Sequence, residues 1–184
     1  MLKIDRQTII QQELAKNGSV LIPALSEMLH CSEETIRRDL RELEASGRLT
    51  RTHGGAYLME KYDKSYPTKL RKVYYQDIKV RMAKQAMQYI RDNDVLMLDS
   101  STTCLELARL LVESKYNVTV ISNSLLICDL CSEQLSSVNL VCLGGTFRRR
   151  TSSFTGYHTT DILSCYHSAK AFISCPKITP EQGL

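Results

Sequence analysis

Apolar residues along this chain change their period once, and the change divides it. Up to residue 56 they recur three or four apart, the spacing of helix faces; from residue 78 short unbroken apolar runs alternate with helical segments. Ile4 to Leu14 predicts a helix with Ile9, Ile10 and Leu14 facing inward. Ser19 to Ile22 reads as a short strand, and Ala24 to Leu29 as a second helix entered through Pro23, a residue tolerated in a first turn. His30-Cys31-Ser32 is a tight turn. In the second half, Ile78, Met82, Ala86 and Ile90 fit one helix face. Val95–Leu98, Val118–Ile121, Val138–Leu143 and Ala169–Ile173 predict strands, separated by helices over Cys104–Val112, Leu125–Leu135 and Thr159–Leu163. The continuous run Val95–Leu98 suits a strand buried on both faces. Such alternation predicts βαβ units and a mainly parallel sheet.

The segment from Ser32 to Ala56 carries the most chemistry. Ser32 is a good N-cap, Glu33 and Glu34 suit the positive end of a helix, and Gly47 is a natural stop. Ile36, Leu40 and Leu43 form the apolar stripe. At about 100° per residue, Glu34, Arg38 and Arg41 fall opposite that stripe, with Thr35 and Arg37 on its flanks. A basic hairpin ending in Gly54-Gly55 follows. Helix, strand, helix, turn, helix, hairpin is the order of a winged helix-turn-helix. An arginine-bearing helix face alone is equally a solvated surface; the cap, turn, stripe and hairpin together point to a groove of DNA.

Charge refines this picture. Residues 1–56 hold eight Lys/Arg and eight Asp/Glu, residues 57–91 nine and three, and residues 92–184 seven and nine. The first module is therefore neutral overall, with its cations gathered between Arg37 and Arg51. Local distribution decides groove binding, yet one such module should bind weakly, so a homo-oligomer reading two half-sites is expected. Residues 58–77 read as a basic connector without sustained apolar period, with a helix beginning near Lys69. The domains expected are thus 1–57, a linker over 58–77, and 78–184.

Of the 184 residues, 43% are hydrophobic, ample for a packed core. No apolar stretch is long enough to span a bilayer, and the amphipathic N-terminus lacks a signal-peptide core. Seven scattered cysteines, an odd number without framework spacing, suggest a reducing compartment; the expected location is the cytoplasm.

In a parallel sheet, ligands bind beyond the carboxyl ends of the strands. There the sequence places Asp99-Ser100-Ser101-Thr102-Thr103, opening a helix, then Ser122-Asn123-Ser124, then Gly144-Gly145-Thr146-Phe147-Arg148 and Ser152-Ser153-Phe154-Thr155-Gly156. Hydroxyls and free N–H groups at a helix N-terminus make a phosphate cradle. Each loop alone is also ordinary capping and turn chemistry; three at successive strand ends favour a ligand site. Arg149 and Arg150 read as a solvated charge run.

Thr35-Ile36-Arg37-Arg38-Asp39-Leu40, then Leu43-Glu44, Gly47 and Arg51-Thr52-His53-Gly54-Gly55-Ala56, resemble the signature of DeoR-type bacterial transcriptional regulators. The resemblance covers nearly the whole chain. It implies that the helix from Ser32 enters the major groove of an operator duplex, with Ser32, Thr35, Arg37, Arg38 and Arg41 as readers and clamps and Arg48, Arg51 and His53 on phosphates. It implies a second half similar to the ribose-5-phosphate isomerase and glucosamine-6-phosphate deaminase folds, with a phosphorylated sugar as effector. On that resemblance Asp99, Ser100, Ser101, Thr102 and Thr103 form the phosphate loop, and Asn123, Gly144, Gly145, Thr146, Arg148, Ser153 and Gly156 its wall. The implied function is a repressor of sugar-metabolism genes.

Two departures stand out. Where relatives tend to carry a Ser-Cys-x-Gly-Ile-Asp-like turn, this chain has Ser174-Cys175-Pro176-Lys177-Ile178-Thr179. The chain also stops early for the family, so a truncated, incomplete effector domain is expected. Neither a metal nor another cofactor is expected: Cys128 and Cys131 sit inside an apolar helix without a second ligand pair, so core packing is favoured. Cys104 reads as a small packed residue, and His30, His158 and His167 as surface or turn residues. Two alternatives stay open. One is a sugar-phosphate isomerase or deaminase, whose base would be Glu181, the only carboxylate near the turn after the fourth strand, or Asp99, although a loop-entry aspartate more often orients backbone N–H groups. The other is a DNA-binding module whose second half only dimerises. No catalytic residue is assigned.

Overall fold

A computed structural model describes residues 1–58, 67–133, 137–175 and 179, which form two compact units, Met1–Tyr74 and Tyr75–Leu184. The first contains α1 (Lys3–Asn17), β1 (Ser19–Leu21), α2 (Ile22–Leu29), α3 (Glu33–Ala45), β2 (Thr50–Thr52), β3 (Gly55–Tyr57) and α4 (Thr68–Val73). Helix α1 ends at Gly18, whose φ of 71° only glycine adopts at little cost. The turn between α2 and α3 is closed by His30, left-handed at φ 50°, and by Ser26 Oγ donating to the Cys31 carbonyl at 2.6 Å. Ile10, Leu14, Leu25, Leu29, Ile36, Leu40 and Leu43 form one core beneath a three-stranded antiparallel sheet of order β1-β3-β2.

The second unit contains α5 (Gln76–Met87), β4 (Val95–Leu98), α6 (Thr102–Glu113), β5 (Val118–Ser122), α7 (Leu125–Glu133), β6 (Val138–Cys142), β7 (Thr146–Arg148), β8 (Ser153–Thr155), α8 (Tyr157–Ser164) and β9 (Lys170–Phe172). Strands pair in the order β6-β5-β4-β9, all parallel, with β7 and β8 as a separate antiparallel hairpin. The order reverses between β4 and β9, which makes the carboxyl end of β4 a topological switch point. Leu96, Leu98, Leu105, Leu107, Leu111, Val118, Val120 and Ile127 form the core.

Several expectations need correction. Connector residues 67–74 are part of the first unit: α4 buries Thr68 and Leu70, and Tyr74 bonds the hairpin. Helix α5 buries Ala83 and packs Ala86, Met87 and, just past its end, Ile90, while Ile78 and Met82 are exposed. Four residues spaced i, i+4 drift across a helix face at about 3.6 residues per turn, and packing selected the neighbouring stripe. Strand β4 buries Leu96 and Leu98 but leaves Val95 and Met97 half-buried, and β6 is half-exposed because it is an edge strand. The glycine- and serine-rich loops expected over 144–156 contain the β7–β8 hairpin, whose three-residue strands show no usable alternation. Connector residues 59–66, Leu135, the turn residues Pro176, Lys177 and Ile178, and Glu181 lie outside the described residues.

Candidate functional site

In the first unit, the cap geometry aims α3. Ser32 Oγ accepts from the Thr35 N–H at 3.3 Å and sits 2.9 Å from the Thr35 hydroxyl. The helix closes where Ser46 Oγ donates to the Leu43 carbonyl at 2.8 Å and Gly47 turns at φ 70°. Ile36, Leu40 and Leu43 are at most 3% exposed, whereas Arg38 and Arg41 lie on the exposed face. Arg37 pairs with Glu33 at 2.8 Å and Arg41 with Glu34 at 3.5 Å, both half-open to solvent. Exposed pairs of this kind contribute little and exchange readily for a phosphate or base edge.

Arg51 is more tightly held. Its N–H donates to Glu44 Oε1 at 2.9 Å and its Nε to Glu44 Oε2 at 2.7 Å. The Arg51 side chain, with its N–H, holds the Glu44 carboxyl below the usual carboxylate range. Arg48 donates to Gln11 at 3.0 Å, and His53 is exposed. Between α3 and the hairpin lies a groove of about 500 Å³ lined by Arg37, Leu40, Glu44, Arg51, His53 and Gly55 among others. The hairpin needs both glycines for packing. A Cβ at Gly55 would sit 2.1 Å from the Val20 carbonyl oxygen, and one at Gly54 would meet the Tyr74 ring, whose hydroxyl accepts from the Gly54 N–H at 2.9 Å and also bonds Thr52.

Sequence reasoning missed two features here. Asp39 is 1% exposed on the same face as the apolar stripe, where it is gripped by Arg6 through Nε and, at 3.1 Å, through Nη2. The Asp39 carboxylate raises the Arg6 pKa above its ordinary value. An acid falling on a buried arc is a signal that a cation must reach it, and Arg6 was the available one. Tyr74 carries no such signal.

In the second unit, the predicted loops meet at the carboxyl ends of the parallel strands. Asp99 accepts from the Ser101 N–H at 2.9 Å and from the Ser174 N–H at 2.8 Å, so its carboxylate joins the ends of β4 and β9 across the switch point. Ser101 Oγ caps α6 by accepting from the Cys104 N–H at 3.0 Å. Ser122 Oγ donates to the Leu98 carbonyl and accepts from the Ser124 N–H. Asn123 Nδ2 donates to the Phe154 carbonyl at 2.9 Å, and the Phe154 N–H donates to the Asn123 carbonyl at 2.8 Å. Ser153 is 2% exposed and bonds Thr151 at 2.8 Å. Thr159, which carried no sequence signal, donates to the Gly144 carbonyl at 2.6 Å, and a Cβ on Gly145 would meet its hydroxyl.

Many of the hydroxyls and amides that suggested ligand contact therefore lace the loops to one another. Thr102 is buried, Ser100 and Thr103 are half-exposed, and Thr146, Arg148 and Gly145 are exposed. Gly156 takes φ 103° as it opens α8. Arg150 is 9% exposed, correcting its reading as solvated; Arg149 is exposed. Burial, with Asp99 beside it, pushes the Cys104 thiol up to about 12, and it donates to the Phe172 carbonyl at 3.3 Å. Cys128 and Cys131 are buried with their thiols also raised by burial. Among the described residues no cluster of His, Cys, Asp and Glu could hold a metal, and no helix is long and apolar enough to cross a membrane.

Comparison with known proteins matches the two units separately. Residues 6–62 match a DeoR-like helix-turn-helix domain, and residues 75–184 match the DeoR C-terminal sensor domain. The chain is 32% identical over 183 residues to the HTH-type transcriptional regulator IolR of Bacillus subtilis (strain 168), covering 100% of this chain and 72% of that protein. It is 34% identical over 181 residues to the lactose phosphotransferase system repressor of Lactococcus lactis subsp. lactis, covering 97% and 71%. It is 36% identical over 185 residues to the L-fucose operon activator of Escherichia coli (strain K12), covering 100% and 75%.

Proposed function

The chain belongs to the DeoR family of DNA-binding transcriptional regulators, and from that premise we propose that it represses sugar-metabolism genes until a phosphorylated sugar binds its second unit. Helix α3 reads an operator duplex: Ser32, Thr35, Arg37, Arg38 and Arg41 face base edges and their flanking phosphates, while Arg48, Arg51 and His53 contact the backbone beside them. The observation that carries this reading is the exposure of Arg38 and Arg41 directly opposite a buried stripe, in a unit whose family binds DNA through that motif. A homodimer bringing two such helices to half-sites about one helical turn apart supplies the affinity a neutral single module lacks. A regulator of this kind works in the cytoplasm.

The effector's phosphate lies against the loop Asp99–Thr103 at the N-terminus of α6, within a wall formed by Asn123, Gly144, Gly145, Thr146, Arg148, Ser153 and Gly156. The internal bonds of Asp99, Ser101, Asn123 and Ser153 support a division of labour in which these side chains hold the loops while backbone N–H groups, Ser100, Thr103 and Arg148 meet the ligand. An isomerase reading resting on Asp99 would need it as the base, whereas its two observed bonds, one N–H to each oxygen, fit the role of a brace between loops. Sign follows from linkage: a sugar phosphate that binds the DNA-incompetent arrangement more tightly weakens operator binding by the same factor. Duplex binding followed during titration with a panel of phosphosugars tests the proposal. Release of the duplex by one phosphosugar, without turnover, is the expected result; turnover, or indifference to every phosphosugar, contradicts it.

A further inference from the structure

Helix α3 is gripped on both flanks. Taking Ile36 as the reference and about 100° per residue, the buried stripe centres near 0°, and Arg38 and Arg41 project at about 200° and 140°. Asp39 and Glu42 fall at about 300° and 240°, both on the side facing α1. There Arg6 holds Asp39 with two guanidinium nitrogens, and Lys3 and Gln7 reach Glu42 at 2.5 and 2.8 Å in exposed contacts that add little by themselves. On the other flank, at about 80°, Glu44 takes the hairpin's Arg51. The apolar stripe is non-directional and tolerates a small roll of the helix; a two-nitrogen fork on a carboxylate does not.

A roll of about 20° at a side-chain radius of about 6 Å moves a guanidinium by about 2 Å, enough to lose a base-edge hydrogen bond. Stability alone gives little reason for charge at this position, since apolar pairs commonly replace buried ion pairs without loss. We propose that the Arg6–Asp39 pair, supported by the Lys3 and Gln7 contacts to Glu42, is a positioning device that sets the roll of α3 and so holds Arg38 and Arg41 toward the duplex. This rests on the DNA reading above, and makes Arg6 and Asp39 specificity residues although neither faces the duplex.

The test uses the full chain and a duplex enriched by the wild type from a random pool. Arg6→Met with Asp39→Leu removes the fork and keeps the volume; Arg6→Lys with Asp39→Glu keeps an ion pair. Thermal unfolding checks that both fold. The apolar pair is expected to remain folded, to bind random duplex within about twofold of wild type, and to lose at least about tenfold in preference for the enriched duplex. The charge-conserving pair is expected to recover most of that preference. Full preference in the folded apolar pair, or equal loss in both, overturns the proposal. A wild type that enriches no duplex defeats the DNA reading instead. The positioning claim is then decided by a crystal structure of the apolar pair superposed on α1 and α2: displacement of the Arg38 Cβ beyond about 0.5 Å supports it, and a smaller shift overturns it.

Discussion

The two units spend their polar side chains in opposite ways. In the first, the residues expected to touch a partner remain at the surface: Arg38, Arg41, Arg48 and His53 are exposed, and the pairs they or their neighbours make are open to solvent. In the second, four of the residues expected to touch a ligand, Asp99, Ser101, Asn123 and Ser153, are bonded within and between loops. A macromolecule is met by side chains that project. On the proposed reading, a small anion is met largely by backbone, and the side chains nearby are the ones that tie the loops together.

The largest test of this contrast separates the cores. Ile36→Ala should cost about 2–5 kcal/mol in the first unit and abolish duplex binding, and Leu96→Ala should cost a similar amount in the second; both side chains are fully buried. Calorimetry with phosphosugar titration checks this, and loss of sugar binding in Ile36→Ala would break the separation. Next come the paired glycines. Gly145→Ala places a Cβ 2.1 Å from the Thr159 hydroxyl and 2.8 Å from the Thr155 carbonyl at φ 133°, and should cost about 1–3 kcal/mol in urea unfolding. Gly144→Ala meets nothing within 4 Å and should stay within about 0.5 kcal/mol.

Asp99→Asn should cost about 1 kcal/mol, because an amide cannot accept both N–H bonds as a carboxylate does. It should also weaken phosphosugar binding while leaving duplex binding intact; unchanged sugar affinity would mean that the loop needs no such brace. The smallest effect is at Asp94, whose carboxyl is held below its ordinary value by Lys170 at 2.6 Å and then by the Arg91 N–H. A lowered folded value means stability present above the unfolded pKa and lost as pH falls through the folded one. Asp94→Asn should therefore be less stable than wild type at neutral pH, with the gap closing in acid below about pH 4. A gap independent of pH would assign the effect to shape, not charge.

Much of this was legible in the sequence, and the failures share a cause. The N-terminal unit was readable through its local signals: Ser32 as cap, Gly47 as stop, and the stripe Ile36, Leu40, Leu43. The parallel strands were readable as apolar runs. Local signals could not reveal that Arg6, 33 residues away, would pair with Asp39, or that Tyr74 would brace Gly54. Nor could they choose between overlapping faces of α5, where Ala83 won over Met82. Capping and ligand binding also use the same residue types, so Ser101 and Asn123 drew attention for chemistry that the fold itself uses.

The central claim is that Arg38 and Arg41 read base edges. Affinities of wild type, Arg38→Ala and Arg41→Ala for the enriched duplex and for random duplex, compared across salt concentration, address it most directly. The account predicts a loss of about 1–3 kcal/mol on the enriched duplex and a much smaller one on random duplex for at least Arg38→Ala. Equal losses on both duplexes would make these arginines phosphate contacts, and no loss on either would contradict the placement of α3 in the groove.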